Sequence, residues 1–329
     1  MKNKTVLRSV LPYAVLAILF LAAPIVINNE YWTVVLVRVL ISIVVALGLN
    51  LITGLIGQMN LGTAGMYALG SYTSALLTTR LGVSPWLALL ACVAMGVIIG
   101  LVLGYPSLRL KGVYFSLTTI GFTQIVVIFI NNLTKLTGGA KGVQSIPSFN
   151  IFGFSCNTYL RCYYLYFCFA VIALFVALRI VNGKWGRLFR SMRDNSDAVE
   201  MTGVDISWVK IRAFIACSIF GTIGGAMYAH FYGYVNPSAY TSDVSMNFVL
   251  MLLVGGLGSV PGTVVGAAVV TMLPELLRGL QDYYLLVFYS IIFLGILIFP
   301  NGWIDAIQRG FRLVKKLITG KKGKGGENK

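Results

Sequence analysis

Ten apolar runs of roughly 20 residues alternate with polar connections along the chain. They lie near 10–28, 32–53, 61–79, 84–105, 113–133, 159–181, 209–233, 244–257, 261–277 and 284–303. Several are short or glycine-rich, so the expected count is eight to ten transmembrane helices, and the predicted fold class is an all-α polytopic membrane protein. One polar island, Asn182 to Arg212, stands apart from this pattern: NGKWGRLFRSMRDNSDAVEMTGVDISWVKIR. Its apolar residues recur at helical spacing, which predicts a short amphipathic helix that stops at Gly203. Leu188, Met192 and Val199 fall on one face, with Asn195 and Thr202 completing the stripe. Arg187, Arg190, Asp194, Asp197 and Glu200 lie elsewhere on the turn, and Arg190–Asp194 and Arg193–Asp197 have the i,i+4 spacing of ion pairs. Such a helix suits docking into a groove on a separate soluble protein. The plainer alternative is a solvated connecting loop.

Composition agrees with the pattern. Of 329 residues, 57% are hydrophobic and 11% charged, where soluble domains carry about 25% charged residues. The net charge of +16 would suggest nucleic acid in a soluble protein, but its distribution argues against that partner. With the N-terminus inside, Lys2, Lys4, Arg8, Arg109, Lys111, the island and the tail from Arg309 to Lys329 all fall on the cytoplasmic side. Arg80, Lys135, Lys141, Arg161 and Arg278 fall outside, which is the bias that orients such chains. The expected topology is therefore N-terminus and C-terminus cytoplasmic, with the first span acting as a signal anchor. Residues 1–308 form a transmembrane domain holding a cytoplasmic loop at 182–208, and residues 309–329 form a basic tail that is solvated or meets lipid headgroups. Cys156 and Cys162 lie in or beside an outer loop, where either a disulfide or two thiols are consistent with the spacing. His230 has no Cys, Asp or Glu at metal-ligand spacing, so no metal site is expected.

The spans are short of coupling groups. Glu30, Asp243, Glu275 and Asp282 lie at outer span ends and the other acids are cytoplasmic, so a proton pump is disfavoured. Arg38, within two turns of an outer end, is expected to snorkel to the headgroups. A nucleotide-binding lysine loop is missing, and so are a Ser/His/Asp set and paired carboxylates. No enzyme activity and no cofactor are expected. A chain with no energy source of its own, but with a docking helix, points to an ATPase supplied by another protein.

Two glycine-rich segments, Gly54–Gly65 and Gly256–Gly266, share a G-L, glycine, G-T, glycine pattern. They read either as paired broken-helix elements or as tight helix packing through small residues. In the first case Gln58, Asn60 and Thr63 supply polarity to a pathway. The fifth span adds Ser116, Thr118, Thr119, Thr123 and Gln124. Hydroxyls can bond back to their own helix, whereas Gln124 is expected to face the interior.

These motifs resemble the inner-membrane permease subunits of branched-chain amino acid ABC transporters, LivM type. The likeness runs through Ala46-Leu47-Gly48-Leu49-Asn50 with Gly70-Ser71-Tyr72-Thr73, and Arg109-Leu110-Lys111-Gly112-Val113-Tyr114 with Thr119-Ile120-Gly121-Phe122. It continues through Thr137-Gly138-Gly139, Gly142 and Ile146-Pro147, then Gly255-Gly256-Leu257-Gly258-Ser259 with Gly262 and Gly266. The island resembles the family's EAA-type loop at Gly186, Arg187, Arg193, Ala198, Glu200 and Gly203. The resemblance implies an ATPase-coupling set of those residues with Leu188, Met192 and Asp197, and a substrate pathway at Gln58, Asn60, Thr63, Thr119 and Gln124. It also implies an ABC-importer permease fold in a bacterial inner membrane and alternating access. The implied partners are a second homologous permease, two cytoplasmic ABC ATPases, an extracytoplasmic substrate-binding protein and membrane lipid, with no nucleic acid. Thr63, Gln124 and Asp197 depart from the family's usual His, acidic residue and Glu. The substrate therefore stays open between branched-chain amino acids and urea or short amides, and an ATP-independent facilitator or a scaffold remains the reading from another class. A zwitterionic substrate would be met by helix ends, amides and hydroxyls.

Overall fold

The computed structural model describes residues 20, 24, 29–107, 110, 112–151, 154–155, 159–299 and 302. The expected first span and the basic tail fall almost wholly outside these residues. Each of the other nine apolar runs contains a helix. In chain order they are α1 (Glu30–Leu49), α2 (Thr63–Arg80), α3 (Pro85–Ser107), α4 (Val113–Asn132), a single turn α5 (Thr134–Thr137) and α6 (Tyr159–Asn182). The island follows as α7 (Lys184–Asp194) and α8 (Ser196–Glu200). The chain then continues as α9 (Ile206–Tyr232), α10 (Ser242–Gly255), α11 (Val260–Leu276) and α12 (Tyr284–Ile298). A hairpin of two-residue strands, Asn150–Ile151 and Phe154–Ser155, is the extended pairing named among the described residues besides one Val143–Val235 bridge. The protein is an all-α polytopic membrane protein. Five of its helices are long and apolar enough to cross a membrane, and α11 and α12 are shorter apolar helices.

Burial sorts the helices into an inside and an outside. The most apolar stretch of the segment Glu30–Ile56 is 94% buried, against 22% for α6. So α1 is enclosed by other helices, while α6 presents Ile172 and Phe175 outward. Exposed Leu90, Ile98 and Val102 on α3, Ile125 and Phe129 on α4, and Leu286 and Phe293 on α12 continue that apolar exterior, as lipid requires.

Inside, small residues set the spacing, because lipid tails are as apolar as leucine and provide no hydrophobic drive between helices. Gly96, Gly100 and Gly104 form a stripe at four-residue spacing on α3, and it meets Ile219, Ile215 and Ile211 of α9 in reverse order. The two helices are therefore antiparallel and in close backbone contact along two full turns. On its other sides α9 sets Gly225 against the backbone of Tyr67 and Ser71 of α2, and Gly224 against Val45 of α1. Hydroxyls then bond across the seams. Ser71 Oγ donates to the Gly225 carbonyl at 2.8 Å, and Thr222 Oγ1 donates to the Cys92 carbonyl at 2.8 Å.

The ends of α9 are also tied. Asp205 caps its start by accepting from the Ser207 and Trp208 amides at 2.9 and 3.4 Å. Near its other end, His230 Nδ1 donates to the Pro147 carbonyl at 2.6 Å and Nε2 accepts from Ser74 Oγ at 2.7 Å. A carbonyl can only accept, which fixes this tautomer for the neutral ring. His230 is thus a brace for the 133–149 loop. Cys162 is buried and Cys156 lies outside the described residues.

Gly100→Leu should lower the melting temperature of the detergent-solubilised protein, with a cost of about 1–3 kcal/mol from overpacking a backbone contact. The exposed Gly279→Ala change, at a position with open space and no positive φ, serves as a control for handling losses. Size-exclusion thermal melts measure both, and an unshifted Gly100→Leu would mean that the α3–α9 seam does not set the packing.

Candidate functional site

Both glycine-rich segments break their helices, and the breaks touch. After Leu49 the backbone widens into a π-helical turn, Asn50–Ile56, which Gly57 ends at φ +82°. Residues 57–62 are non-helical before α2 starts at Thr63. A side chain on Gly54 would collide with the Asn50 amide, so the missing Cβ makes room for Asn50 to fold across it. Asn50 Oδ1 then accepts from the Gly258 amide at 2.9 Å. Gly258 lies in the second break, between the end of α10 at Gly255 and the start of α11 at Val260. The two readings of these segments are therefore both met: each is a helix break and each is a close backbone contact.

The island packs directly beneath this crossing. Arg193 Nη1 donates to the Gly54 carbonyl at 2.9 Å, and the arginine's aliphatic stem lies 3.1 Å from where a Cβ on Gly57 would stand. A π-turn that ends in a left-handed residue leaves carbonyls without helical partners, and Arg193 satisfies one of them. Arg190 does the same for α6, donating to the Val181 carbonyl at 3.0 Å. The ion pairs expected from i,i+4 spacing, Arg190–Asp194 and Arg193–Asp197, do not form, because backbone carbonyls take both guanidinium groups. The single island helix is also corrected. It is split at Asn195, whose side chain accepts from the Asp197 and Ala198 amides at 3.1 Å each and so starts a new helix.

The split reassigns the faces. Gly186, Phe189, Met192 and Val199 are buried against the membrane domain and Leu188 is half-buried. The apolar stripe is thus the island's attachment to its own protein. Arg187, Asp197, Ala198, Glu200 and Gly203 are exposed, as is Met201 at 88%. Gly203 takes φ +80° and closes the last turn, its amide donating to the Glu200 carbonyl at 2.9 Å. Phe189 was missed by the sequence pattern, although its i,i+3 spacing with Gly186 and Met192 carries the signal.

The expected pathway residues do not gather around one opening. Asn60 is fully buried and braces the 57–62 break, its Oδ1 accepting from the Gly62 amide at 2.9 Å. Thr119 Oγ1 accepts from the Leu61 amide at 3.0 Å across the same break. Thr63 Oγ1 and Gln58 Oε1 are buried there without hydrogen-bond partners. Gln124 is elsewhere, donating to Ser242 Oγ at 2.9 Å beside a cavity of about 270 Å³ that Asn131 and Tyr240 also line. Burial holds the Tyr240 phenol well above its usual pKa.

A larger cavity, about 470 Å³, opens between α1, α9, α10, α11 and α12 and is lined by none of those five residues. Arg38 is at its edge. Arg38, expected to snorkel to the headgroups, keeps a half-exposed side chain while Nη1 pairs with Glu275 Oε1 at 2.9 Å and Nε donates to the Tyr232 hydroxyl at 3.1 Å. Tyr31 Oη donates to the other Glu275 oxygen and accepts from Arg278 Nη1 at 3.2 Å. That phenol holds the Arg278 guanidinium above its usual pKa. Sequence reading missed this cluster because its members come from α1, α9 and α11, far apart in the chain.

Comparison with known proteins agrees with the helix pattern and the breaks. Residues 31–299 match the family model described as branched-chain amino acid transport system / permease component. The chain is 30% identical over 297 residues to the high-affinity branched-chain amino acid transport system permease protein LivM of Escherichia coli K12, covering 83% of this chain and 70% of that protein. It is 24% identical to LivH of Salmonella typhimurium, covering 78% of this chain and 89% of that protein. It is 22% identical to an autoinducer 2 import system permease, LsrC, of Yersinia pseudotuberculosis, covering 75% and 72%. No solved structure matches. The chain belongs to the family of branched-chain amino acid transport system permease components, and within it is of the LivM type.

Proposed function

We infer that the chain is one permease subunit of an ATP-driven importer for branched-chain, hydrophobic amino acids, working by alternating access in a bacterial inner membrane. Its partners on this reading are a second homologous permease, two cytoplasmic ATPases that dock on the island, and an extracytoplasmic binding protein. One observation carries the coupling. Arg193 of the island holds the Gly54 carbonyl of the π-turn, and that turn is joined through Asn50 to the second break at Gly258. A push on α7 thus reaches two helix breaks at once, and breaks are where a membrane helix can bend at low cost. The exposed docking face is Arg187, Asp197, Ala198, Glu200 and Met201, and α7–α8 are anchored behind it by Phe189, Met192 and Val199. Leu188, Met192 and Gly186 contribute by holding the helix in place. No catalytic set is needed for this role.

Transport assays on the complete transporter in proteoliposomes test the reading. Arg193→Gln removes a hydrogen bond from a charged donor, worth roughly 1.5–3 kcal/mol, and should reduce ATP-dependent leucine uptake about tenfold or more. Assembly with the ATPases and their basal hydrolysis should persist. Unchanged uptake would break the proposed link. Uptake of urea in preference to leucine would reassign the substrate, and uptake without ATP would favour a facilitator.

The two ends of α9 are about 40 Å apart at 27 residues. In a cysteine-depleted background, a membrane-impermeant reagent added outside should label Ala140→Cys and Ser238→Cys but leave Asp197→Cys unlabelled. Labelling of Asp197→Cys from outside would invert the orientation and remove the ATPase docking surface.

A further inference from the structure

We propose that the cavity bounded by Arg38 and Glu275 is a binding site for a zwitterionic α-amino acid with an apolar side chain, the guanidinium meeting the carboxylate and Glu275 meeting the ammonium. The proposal rests on the importer reading above and deepens it by naming where the substrate is held. The cavity's about 470 Å³ falls within the range of small-molecule sites, roughly 300–1,000 Å³. Its character is divided. Arg38, Glu275, Tyr232, Ser42 and Asn247 give it polar groups, and Ile41, Val244, Phe248, Met251, Val270 and Phe288 give it an apolar wall. A small molecule with both charges at one end and hydrocarbon at the other matches that division.

Three observations go beyond a charge pair that merely fastens α1 to α11. The Thr271 hydroxyl lines the cavity, is 9% exposed and has no hydrogen-bond partner. A buried hydroxyl left unpaired is costly, and threonine on a helix usually bonds back to its own backbone. A ligand's polar head supplies the missing partner. Arg38 spends Nη1 on Glu275 and Nε on Tyr232, so among the described residues its Nη2 remains to donate to a carboxylate. Glu275 accepts from Arg38 and Tyr31, and a carboxylate has further lone pairs for an ammonium. The aromatic wall is firm. Tyr228 stands 4.6 Å from Tyr232 and 5.5 Å from Tyr67, and Tyr67 is 5.9 Å from Phe248. These rings fix the phenol that orients Arg38. On this proposal a charged pair from two helices takes the place of the helix-end and amide recognition expected from sequence.

The complete transporter in proteoliposomes tests the site. Arg38→Gln and Glu275→Gln should each raise the KM for leucine uptake about tenfold or more, and Thr271→Val should raise it by a smaller factor. Subunit assembly and basal ATP hydrolysis should be retained. The charge-swapped double variant Arg38→Glu with Glu275→Arg separates fastening from recognition. It should assemble, yet take up leucine no better than the single variants. Recovery of uptake together with assembly would make the pair a fastening and overturn the site. So would unchanged KM in both single variants of a transporter whose wild type imports leucine, which leaves the importer reading standing. A wild type that imports no apolar amino acid would remove both.

Discussion

Everything in this protein depends on how closely backbones can approach along α9. In water, apolar faces associate because burial releases them from solvent, but a helix in lipid gains nothing of that kind by changing neighbours. Dispersion at short range and hydrogen bonds across the seam must supply the cohesion. The Gly96–Gly100–Gly104 stripe on Ile219, Ile215 and Ile211 lets α3 approach α9 at the distance where those forces act. The same approach brings the Thr222 hydroxyl within reach of the Cys92 carbonyl. Once α9 is held by α1, α2 and α3, its two ends place the island on one side of the molecule and the His230-braced loop on the other.

Backbone groups in lipid must be paired, and that rule explains the join between island and membrane domain. The wide turn at Asn50–Ile56 and the break at 57–62 give up regular helical pairing. Their groups find partners in Thr53, Asn60, Thr119 and Arg193. Thr53, Asn60 and Thr119 are fixed parts of the membrane domain. Arg193 is not, since it belongs to a surface helix whose outer face is open. The satisfaction of the break is thus conditional on where α7 sits. A surface event is linked to a deep one by one charge-assisted hydrogen bond and the arginine stem packed on Gly57. The cavity at Arg38 and Glu275 lies toward the opposite end of α1, so α1 joins both regions as one continuous rod up to its π-turn.

Local pattern carried the spans, because apolar runs of membrane length have few other interpretations and the helix bounds fall within a few residues of the runs. The island was legible for the same reason. Its faces were not, since a helical wheel shows that an apolar stripe exists but not what covers it. Met192 and Val199 turn inward because the membrane domain itself presents the groove. Asn195 was read as filling a stripe, whereas an Asn with an extended backbone is a cap, and that backbone angle is set by the turn between α7 and α8. The arginines were assigned to aspartates one helical turn away, because sequence spacing cannot weigh a neighbour's bare carbonyl.

By itself the sequence determined an all-α polytopic membrane protein with one polar island, and it marked two glycine-rich segments without deciding between helix break and close packing. Composition and periodicity act within one segment, and the cost of polar backbone in lipid leaves little choice. Only the tertiary structure decided that the two breaks meet at Asn50 and Gly258. It alone decided that Arg193 reaches Gly54, and that Arg38 pairs with Glu275. Each of these joins residues from different helices, separated by up to 237 positions. Which helices become neighbours is set by the fit of glycine stripes against side chains, a property of paired surfaces that no single segment carries.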